Sequence, residues 1–220
     1  MMHREIITTE DGSTTLHVPE LNEHYHSVHG AIQESRHIFI QAGIEYYGQN
    51  SIHILEAGFG TGLNAFLTLL NAKDNQRNVV FHSFEKYPLT EEELANLNYT
   101  TFFPAEDASL FKEIHSSPWE KEVEITPYFT LHKHEADFSD VCFTEQFDIV
   151  FFDAFAPDVQ PHLWSADILS KFYQALKPNG ILVTYCVKGI VKQALREVGF
   201  SLKRLPGPPG KREMLRAGKF

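Results

Sequence analysis

The chain has few cysteines and no long apolar run. Cys142 and Cys186 are its only cysteines, and two cysteines in unrelated segments form neither a disulfide framework nor a zinc pattern. No apolar run approaches the roughly 20 residues that span a bilayer. The polar beginning MMHREIITTEDGSTT also lacks the features of a secretory signal. These absences predict a soluble, cytoplasmic protein without a membrane segment.

Positive charge is also scarce until residue 186. The net charge is −10, yet residues 186–220 hold nine Lys or Arg against two acids, whereas the rest holds ten against 27. A split of this size predicts a polyanionic partner, such as a nucleic acid, at the basic end. The alternative is a solvated helix and hairpin that are merely rich in lysine.

Strand-like and helix-like patterns alternate along the chain. Apolar segments at helical spacing separate strand-like runs at 52–58, 78–86, 128–137 and 147–155. This alternation predicts an α/β fold with a doubly wound, mostly parallel sheet and helices on both faces. The segments FSLKRLP and KREMLRA predict an antiparallel C-terminal strand pair, and the helix in SADILSKFYQALKP is expected to stop at 178–180.

The first residues differ from the remainder. Residues 1–34 carry short β-like pieces and no helical period. We therefore expect two parts: a β-rich amino-terminal extension at 1–34, packed on a main domain at 35–220.

The stretch ILEAGFGTGLN joins a predicted strand to a predicted helix through Gly58, Gly60 and Gly62. Glycines allow positive φ and a close approach of a ligand, and a helix start offers free N–H groups. Leu63 breaks the G-x-G-x-x-G spacing of dinucleotide binders, and the G-K-[ST] ending of a phosphate loop is missing. The pattern E-x-G-x-G-x-G resembles motif I of class I S-adenosylmethionine (AdoMet) methyltransferases. A glycine-rich turn without a ligand is the alternative.

Four acids lie at the ends of successive strand-like runs: Glu56, Glu85, Asp137 and Asp153. The carboxyl ends of parallel strands meet at one edge of a sheet, where ligands bind. Glu85 is placed to accept ribose hydroxyls, Asp137 to accept from an adenine amino group, and Asp153 lies nearest the chemistry. We expect the four acids to form one rim.

Longer segments resemble one family. EAGFGTGLN, SFEKYPLT, FDIVFFDAFAPDVQPHLW and GPPGKREML are similar to the MnmD-type tRNA methyltransferases, which also form the amino-terminal half of the bifunctional MnmC enzyme. YHSVHGAIQESRHIF resembles that family's Y-x-S…E-[ST]-R segment. The resemblance implies a class I AdoMet methyltransferase fold and methylation of 5-aminomethyl-2-thiouridine at the tRNA wobble position. It also implies that Asp153 is catalytic and that a separate enzyme supplies the aminomethyl group.

The candidate site residues fall into two sets. With AdoMet as the cofactor, the cofactor-binding candidates are Glu56, Gly58, Gly60, Thr61, Gly62, Glu85, Asp137 and Asp153. The substrate-binding candidates, for the anticodon region of tRNA, are Tyr25, Ser27, Glu34, Phe155, Pro157, Lys188, Lys211 and Arg212. Phe155 and Pro157 are expected to hold a flipped base, unless they only shape a turn. Basic side chains would bind phosphates.

The histidines include two pairs at strand spacing, His24-x-His26 and His132-x-His134. Residues i and i+2 of a strand share a face, but the sequence shows no third ligand beside either pair and no Cys/His zinc pattern. No metal is therefore expected, and the pairs are assigned polar roles at the surface or in the cofactor pocket.

Two other functions stay open at this point. One is a small-molecule N- or O-methyltransferase on the same fold. The other is a non-catalytic module that binds tRNA or protein.

Overall fold

The computed structural model describes residues 3–220 as two β-sheets with helices around the larger one. The strands are β1 (Glu5–Thr8), β2 (Thr14–Val18), β3 (Glu23–His24), β4 (Ser51–Ala57), β5 (Asn78–Phe84), β6 (Glu122–Thr126), β7 (Phe129–His134), β8 (Phe147–Phe152), β9 (Leu176–Thr184), β10 (Ser201–Pro206) and β11 (Glu213–Gly218). The helices are α1 (Ala31–Ser35, continued by π-helical Arg36–Glu45), α2 (Leu63–Asn75), α3 (Glu91–Ala95), α4 (Ala105–Ser116), α5 (Ala166–Ala175) and α6 (Gly189–Val198). Short 3-10 turns lie at Tyr99–Phe102, Phe138–Asp140 and Pro161–Trp164.

The larger sheet has eight strands in the order β10-β11-β9-β8-β4-β5-β7-β6. The five strands from β9 to β7 are parallel, and β6, β11 and β10 pair antiparallel at the two edges. After β4 the chain builds β5 and β7 on one side, and then returns to place β8 on the other. The strand order therefore reverses between β4 and β8, which is where such sheets bind ligands. The doubly wound sheet and the antiparallel C-terminal pair are both confirmed.

Strand β8 lies at the centre of the core. All six of its residues, Phe147–Phe152, are buried, as a strand covered on both faces requires. One apolar cluster includes Phe66 of α2, and a second, on the other face, includes Phe172 of α5. The acid within β8, Asp148, is satisfied by Lys177, whose Nζ lies 2.9 Å from its Oδ2.

Helix α5 ends earlier than expected. It stops at Ala175, and β9 begins at the next residue, so that Pro178 and Asn179 lie within a strand. A residue that precedes proline avoids the helical region, and this constraint acts on Lys177. The β8–β9 register shifts between Phe147 and Ile149, and Asn179 has a φ of 65°. A bulge thus accommodates the Pro-Asn pair that was expected to end the helix.

The first three strands form a separate antiparallel sheet, β1-β2-β3. Leu16 of β2 shares an apolar cluster with the helices of the larger sheet. Arg4 donates to the Tyr25 hydroxyl and to both carboxylate oxygens of Glu93. The division of the chain at residue 34 stays a prediction. Within residues 3–220, none of the helices has the length and apolar character that crossing a membrane demands.

Candidate active site

A cavity of about 690 Å³ opens at the carboxyl ends of β4, β5 and β8. One side, here the strand-end wall, is formed by the residues that follow these strands and β7: Gly58, Gly60, Glu85, Asp137 and Asp153. The opposite side, here the outer wall, comes from residues 23–29, Glu34 and residues 210–211. Phe155 and Tyr185 lie between the two walls. Ten of the candidate residues therefore line one cavity.

The glycines of the strand-end wall have a mechanical role as well as a place in the cavity. Gly58, Gly60 and Gly62 have φ values of 96°, 51° and 72°, which side chains disfavour. A Cβ on Gly58 would lie 2.8 Å from the carbonyl oxygen of Asp153, and one on Gly60 would lie 3.0 Å from the Tyr25 ring. The loop after β4 therefore fits between β8 and the outer wall only as bare backbone.

Glu85 fastens the end of β5 to this glycine loop. Its Oε2 accepts from the Gly60 N–H at 3.0 Å, and its Oε1 accepts from the Tyr87 N–H at 2.8 Å. The carboxylate faces the cavity, so it is held in place by backbone donors while it remains accessible to a ligand.

Asp137 lies three residues beyond β7 and caps the short turn that follows. Its carboxylate accepts from the Ser139 N–H at 2.9 Å and lies 2.9 Å from Lys86 Nζ. The bond from Ser139, with the charge of Lys86, lowers the pKa of Asp137 to about 2. This acid is therefore ionised at neutral pH.

Asp153 follows β8 directly, at the point where the strand order reverses. Its N–H donates to the Ala57 carbonyl, and its Oδ2 accepts from Asn64 Nδ2 at 2.8 Å. Burial raises the pKa of this carboxyl to about 7; nearby Glu34 adds to the rise, while Asn64 and Lys211 oppose it. A carboxyl group with this pKa can hold or release a proton near neutral pH, which is typical of catalytic groups.

An ion pair closes the outer wall. Lys211 Nζ lies 2.5 Å from Glu34 Oε1, and the other oxygen of Glu34 accepts from the Ser27 N–H at 2.7 Å. The Lys211 ammonium also lies 4.2 Å from the centre of the Tyr185 ring. These contacts join the segment that contains Ser27 to the loop between β10 and β11.

The other candidates are outside the cavity: Glu56, Thr61, Gly62, Pro157, Lys188 and Arg212. Glu56 is wholly buried within β4, where burial raises its pKa and its Oε2 accepts from the Ser83 hydroxyl at 2.5 Å. Lys188 and Arg212 are exposed, and Lys188 pairs with Asp158. Of the four acids expected to form one rim, three line the cavity, and the fourth, Glu56, is buried beneath the cavity surface.

Sequence reasoning missed Asn64 and Tyr185. Asn64, the bonding partner of Asp153, is a polar residue in the first turn of the apolar helix α2, and that contrast was a usable signal. Tyr185 donates to the Ala154 carbonyl at 2.8 Å. Nothing in its local sequence distinguishes it from a core aromatic residue.

Known proteins resemble this chain in sequence. The tRNA 5-methylaminomethyl-2-thiouridine biosynthesis bifunctional protein MnmC of Burkholderia vietnamiensis is 31% identical over 231 residues, which cover 94% of this chain and 33% of that protein. The MnmC of Leptospira interrogans is 33% identical over 216 residues, with coverages of 89% and 32%. The chain thus spans about a third of the length of these curated relatives.

Solved structures resemble the fold. A crystal structure of MnmC2 from Aquifex aeolicus has a TM-score of 0.82 at 28% identity, covering all of this chain and 71% of that one. Spermidine synthase from Thermotoga maritima has a TM-score of 0.63 at 16% identity, a likeness of fold alone.

A family model described as S-adenosyl-L-methionine-dependent methyltransferase matches residues 106–219, which is more than half of the chain. The matched region contains Asp137, Asp153 and the basic hairpin β10–β11. The chain therefore belongs to the S-adenosyl-L-methionine-dependent methyltransferase family.

Proposed function

We propose that this protein methylates the amine of 5-aminomethyl-2-thiouridine at the wobble position of tRNA, giving 5-methylaminomethyl-2-thiouridine. The relatives named for the biosynthesis of that nucleoside support the substrate. The observation that carries the proposal is Asp153, a half-buried carboxyl group in the strand-end wall of the cavity, where burial raises its pKa to about 7.

The residues of the strand-end wall fit the family's cofactor, AdoMet. Gly58 and Gly60 line the cavity, where their backbone can meet a ligand directly, and no Lys or Arg of the described residues follows β4 or β8 directly to favour a phosphate. We assign Glu85 to ribose hydroxyls and Asp137 to an adenine amino group, since both carboxylates can accept from these donors. Bound AdoMet supplies an electrophilic methyl group on a sulfonium.

Asp153 has the chemical properties that an amine acceptor requires. An amine attacks only in its neutral form, so a carboxylate that accepts its N–H directs the lone pair away from itself and toward the methyl donor. The Asn64 amide donates to Oδ2 of Asp153, so Oδ1 of Asp153 is left to accept from the substrate amine. The same oxygen then stabilises the positive charge that develops on nitrogen.

The aromatic pair Tyr25 and Phe155 is assigned to the base. The two rings meet edge to face with centroids 5.0 Å apart, beside Asp153 and Glu34 in the same cavity. A wobble base must leave the anticodon stack to reach such a site, and aromatic side chains commonly hold unstacked bases.

The β10–β11 hairpin is assigned to the phosphates of tRNA. Lys203, Arg204 and Arg212 are exposed on it, and the hairpin loop also brings Lys211 to the outer wall. Basic side chains next to a cavity hold the nucleic acid by its backbone and leave base recognition to the cavity itself.

The test is an in vitro methylation of tRNA with AdoMet, read by nucleoside mass spectrometry. We expect tRNA that carries 5-aminomethyl-2-thiouridine to gain one methyl group at that nucleoside, and tRNA with unmodified uridine there to gain none. Equal methylation of the free nucleoside would favour a small-molecule methyltransferase. Tight tRNA binding without methyl transfer would favour a binding module and overturn the proposal.

A further inference from the structure

Three histidines meet on one face of the larger sheet, outside the cavity. His82 lies on β5, and His132 and His134 lie on β7. One ring nitrogen from each is within 4.8 Å of the others. The parallel register places His82 directly beside His132, so the fold supplies a third histidine to a pair that looked isolated in the sequence.

The spacing within this cluster suits a metal ion. Zinc–nitrogen bonds of 2.0–2.1 Å in a tetrahedral site place neighbouring ligand nitrogens about 3.3 Å apart. His82 Nδ1 and His134 Nε2 lie 3.1 Å apart. The rings of His132 and His134 stack with centroids 4.1 Å apart, close enough for a small side-chain rotation to direct both toward one point.

Aromatic side chains pack against one side of the cluster. His82 packs against Phe143 and Phe147. Its ring centroid also lies 4.9 Å from that of His132 and 5.3 Å from that of His134, so the three imidazoles form one compact cluster.

Two carboxylates lie next to the histidine cluster. His134 directs Nε2 toward His82, while its other nitrogen, Nδ1, lies 3.4 Å from Glu120 Oε2. A carboxylate on the second ring nitrogen is the usual support of a metal-binding histidine, because it orients the ring and raises its basicity. Glu122 is the cross-strand partner of His132 and adds negative charge at the same face.

We propose that His82, His132 and His134 bind one divalent late transition-metal ion, with Zn²⁺ as the best match. Imidazole ligands select this class of metal over Mg²⁺ or Ca²⁺, which prefer oxygen. Three ligands leave a fourth position for water. Such an ion would cross-link β5 and β7, the two strands that lead to Glu85 and Asp137.

The test uses the full chain without a polyhistidine tag, stripped of metal with a chelator and titrated with Co²⁺. We expect one equivalent of Co²⁺ to give the absorption bands of tetrahedral nitrogen coordination, and Zn²⁺ to displace it. The thermal midpoint of unfolding should rise with Zn²⁺, because an ion that binds only the folded state stabilises it.

Two variants and a control make the result specific. His132→Ala should remove the bands, and Glu120→Gln, which keeps all three ligands, should weaken binding about tenfold. His17→Ala is the matched control, since His17 and His24 stack at 4.6 Å elsewhere on the surface. If His132→Ala does not fold, the Co²⁺ titrations of the wild type and of Glu120→Gln still test the proposal. Absence of stoichiometric binding, or binding that His132→Ala or Glu120→Gln leaves unchanged, overturns the proposal.

Discussion

The two walls of the cavity are built in different ways. The strand-end wall consists of residues that follow neighbouring strands, and its polar groups are fixed by backbone contacts such as Gly60 N–H to Glu85. The outer wall consists of two segments that are distant in sequence, and it is held mainly by side chains, above all Glu34 and Lys211. The first wall is preorganised by the sheet, whereas the second depends on a few polar contacts.

This difference matches the roles assigned to the walls. A small cofactor can be bound by preorganised backbone. A large substrate can be bound by a wall that is completed by separate segments of the chain. Variants can therefore separate the walls: damage to one should leave the ligand of the other bound.

Asp153, the residue of the strand-end wall that is assigned to the reaction, should give the largest effect. We expect Asp153→Ala to lower the methylation rate by about 10²-fold or more while AdoMet affinity stays nearly unchanged, because the amine loses its acceptor. Single-turnover kinetics and calorimetry measure the two quantities. Asp167→Ala, at an exposed acid in the first turn of α5, is the control. Lost AdoMet affinity with normal turnover would instead assign Asp153 to the cofactor.

The pH profile sharpens this prediction. The pKa of Asp153 is raised to about 7, so the reactive carboxylate form is lost as pH falls through 7. The wild-type rate at saturating substrate should therefore fall about tenfold per pH unit below that value, as for any group needed in one protonation state. Asp153→Asn should remove this ionisation from the profile. A wild-type profile that is flat from pH 6 to 8, about one unit on either side of the pKa, would contradict the role.

Glu85 tests the strand-end wall alone. Glu85→Ala removes the acceptor for ribose and the tie to Gly60, and we expect AdoMet affinity to fall at least tenfold, about 1.4 kcal/mol. Affinity for tRNA should be unchanged. Glu91→Ala, at an exposed position in α3, is a matched control. Unaltered AdoMet affinity in calorimetry would refute the ribose assignment.

Lys211 tests the outer wall. Lys211→Met leaves Glu34 buried without its partner, and we expect the free energy of unfolding to fall by about 1 to 3 kcal/mol. Adding Glu34→Gln should recover much of this loss. Denaturant titration of the two single variants and the double variant measures the coupling energy between Glu34 and Lys211. Additive losses of stability would contradict this coupling. In both variants, AdoMet affinity should be retained.

Arg212 should give the smallest effect. It is exposed, unlike Lys211, and is the better probe of a phosphate contact. Arg212→Glu should reduce the slope of log tRNA affinity against log salt by about 0.7 to 0.9. Lys112→Glu, on α4 and also exposed, is the charge-matched control. Equal slopes for wild type and Arg212→Glu would mean that this residue does not touch tRNA.

Local patterns made the sheet and the strand-end wall predictable. Alternating periods identify strands and helices, and parallel strand ends must converge, so Glu85 and Asp153 could be placed together from sequence. The pairing of Glu34 with Lys211 could not, because no local pattern records a contact between residues 177 positions apart. His82 was missed for a related reason, since only the β5–β7 register brings it to His132.

The Glu34–Lys211 pair also sets an order of events during synthesis. At 5 to 20 residues per second, a ribosome needs roughly 10 to 35 seconds to travel the 177 positions between them. Residues that form the strand-end wall emerge well before Lys211 does. In a nascent chain, the glycine loop after β4 is therefore synthesised well before the outer wall can close the cavity. Competence for the proposed reaction therefore has to wait for the synthesis of the β10–β11 loop that contains Lys211.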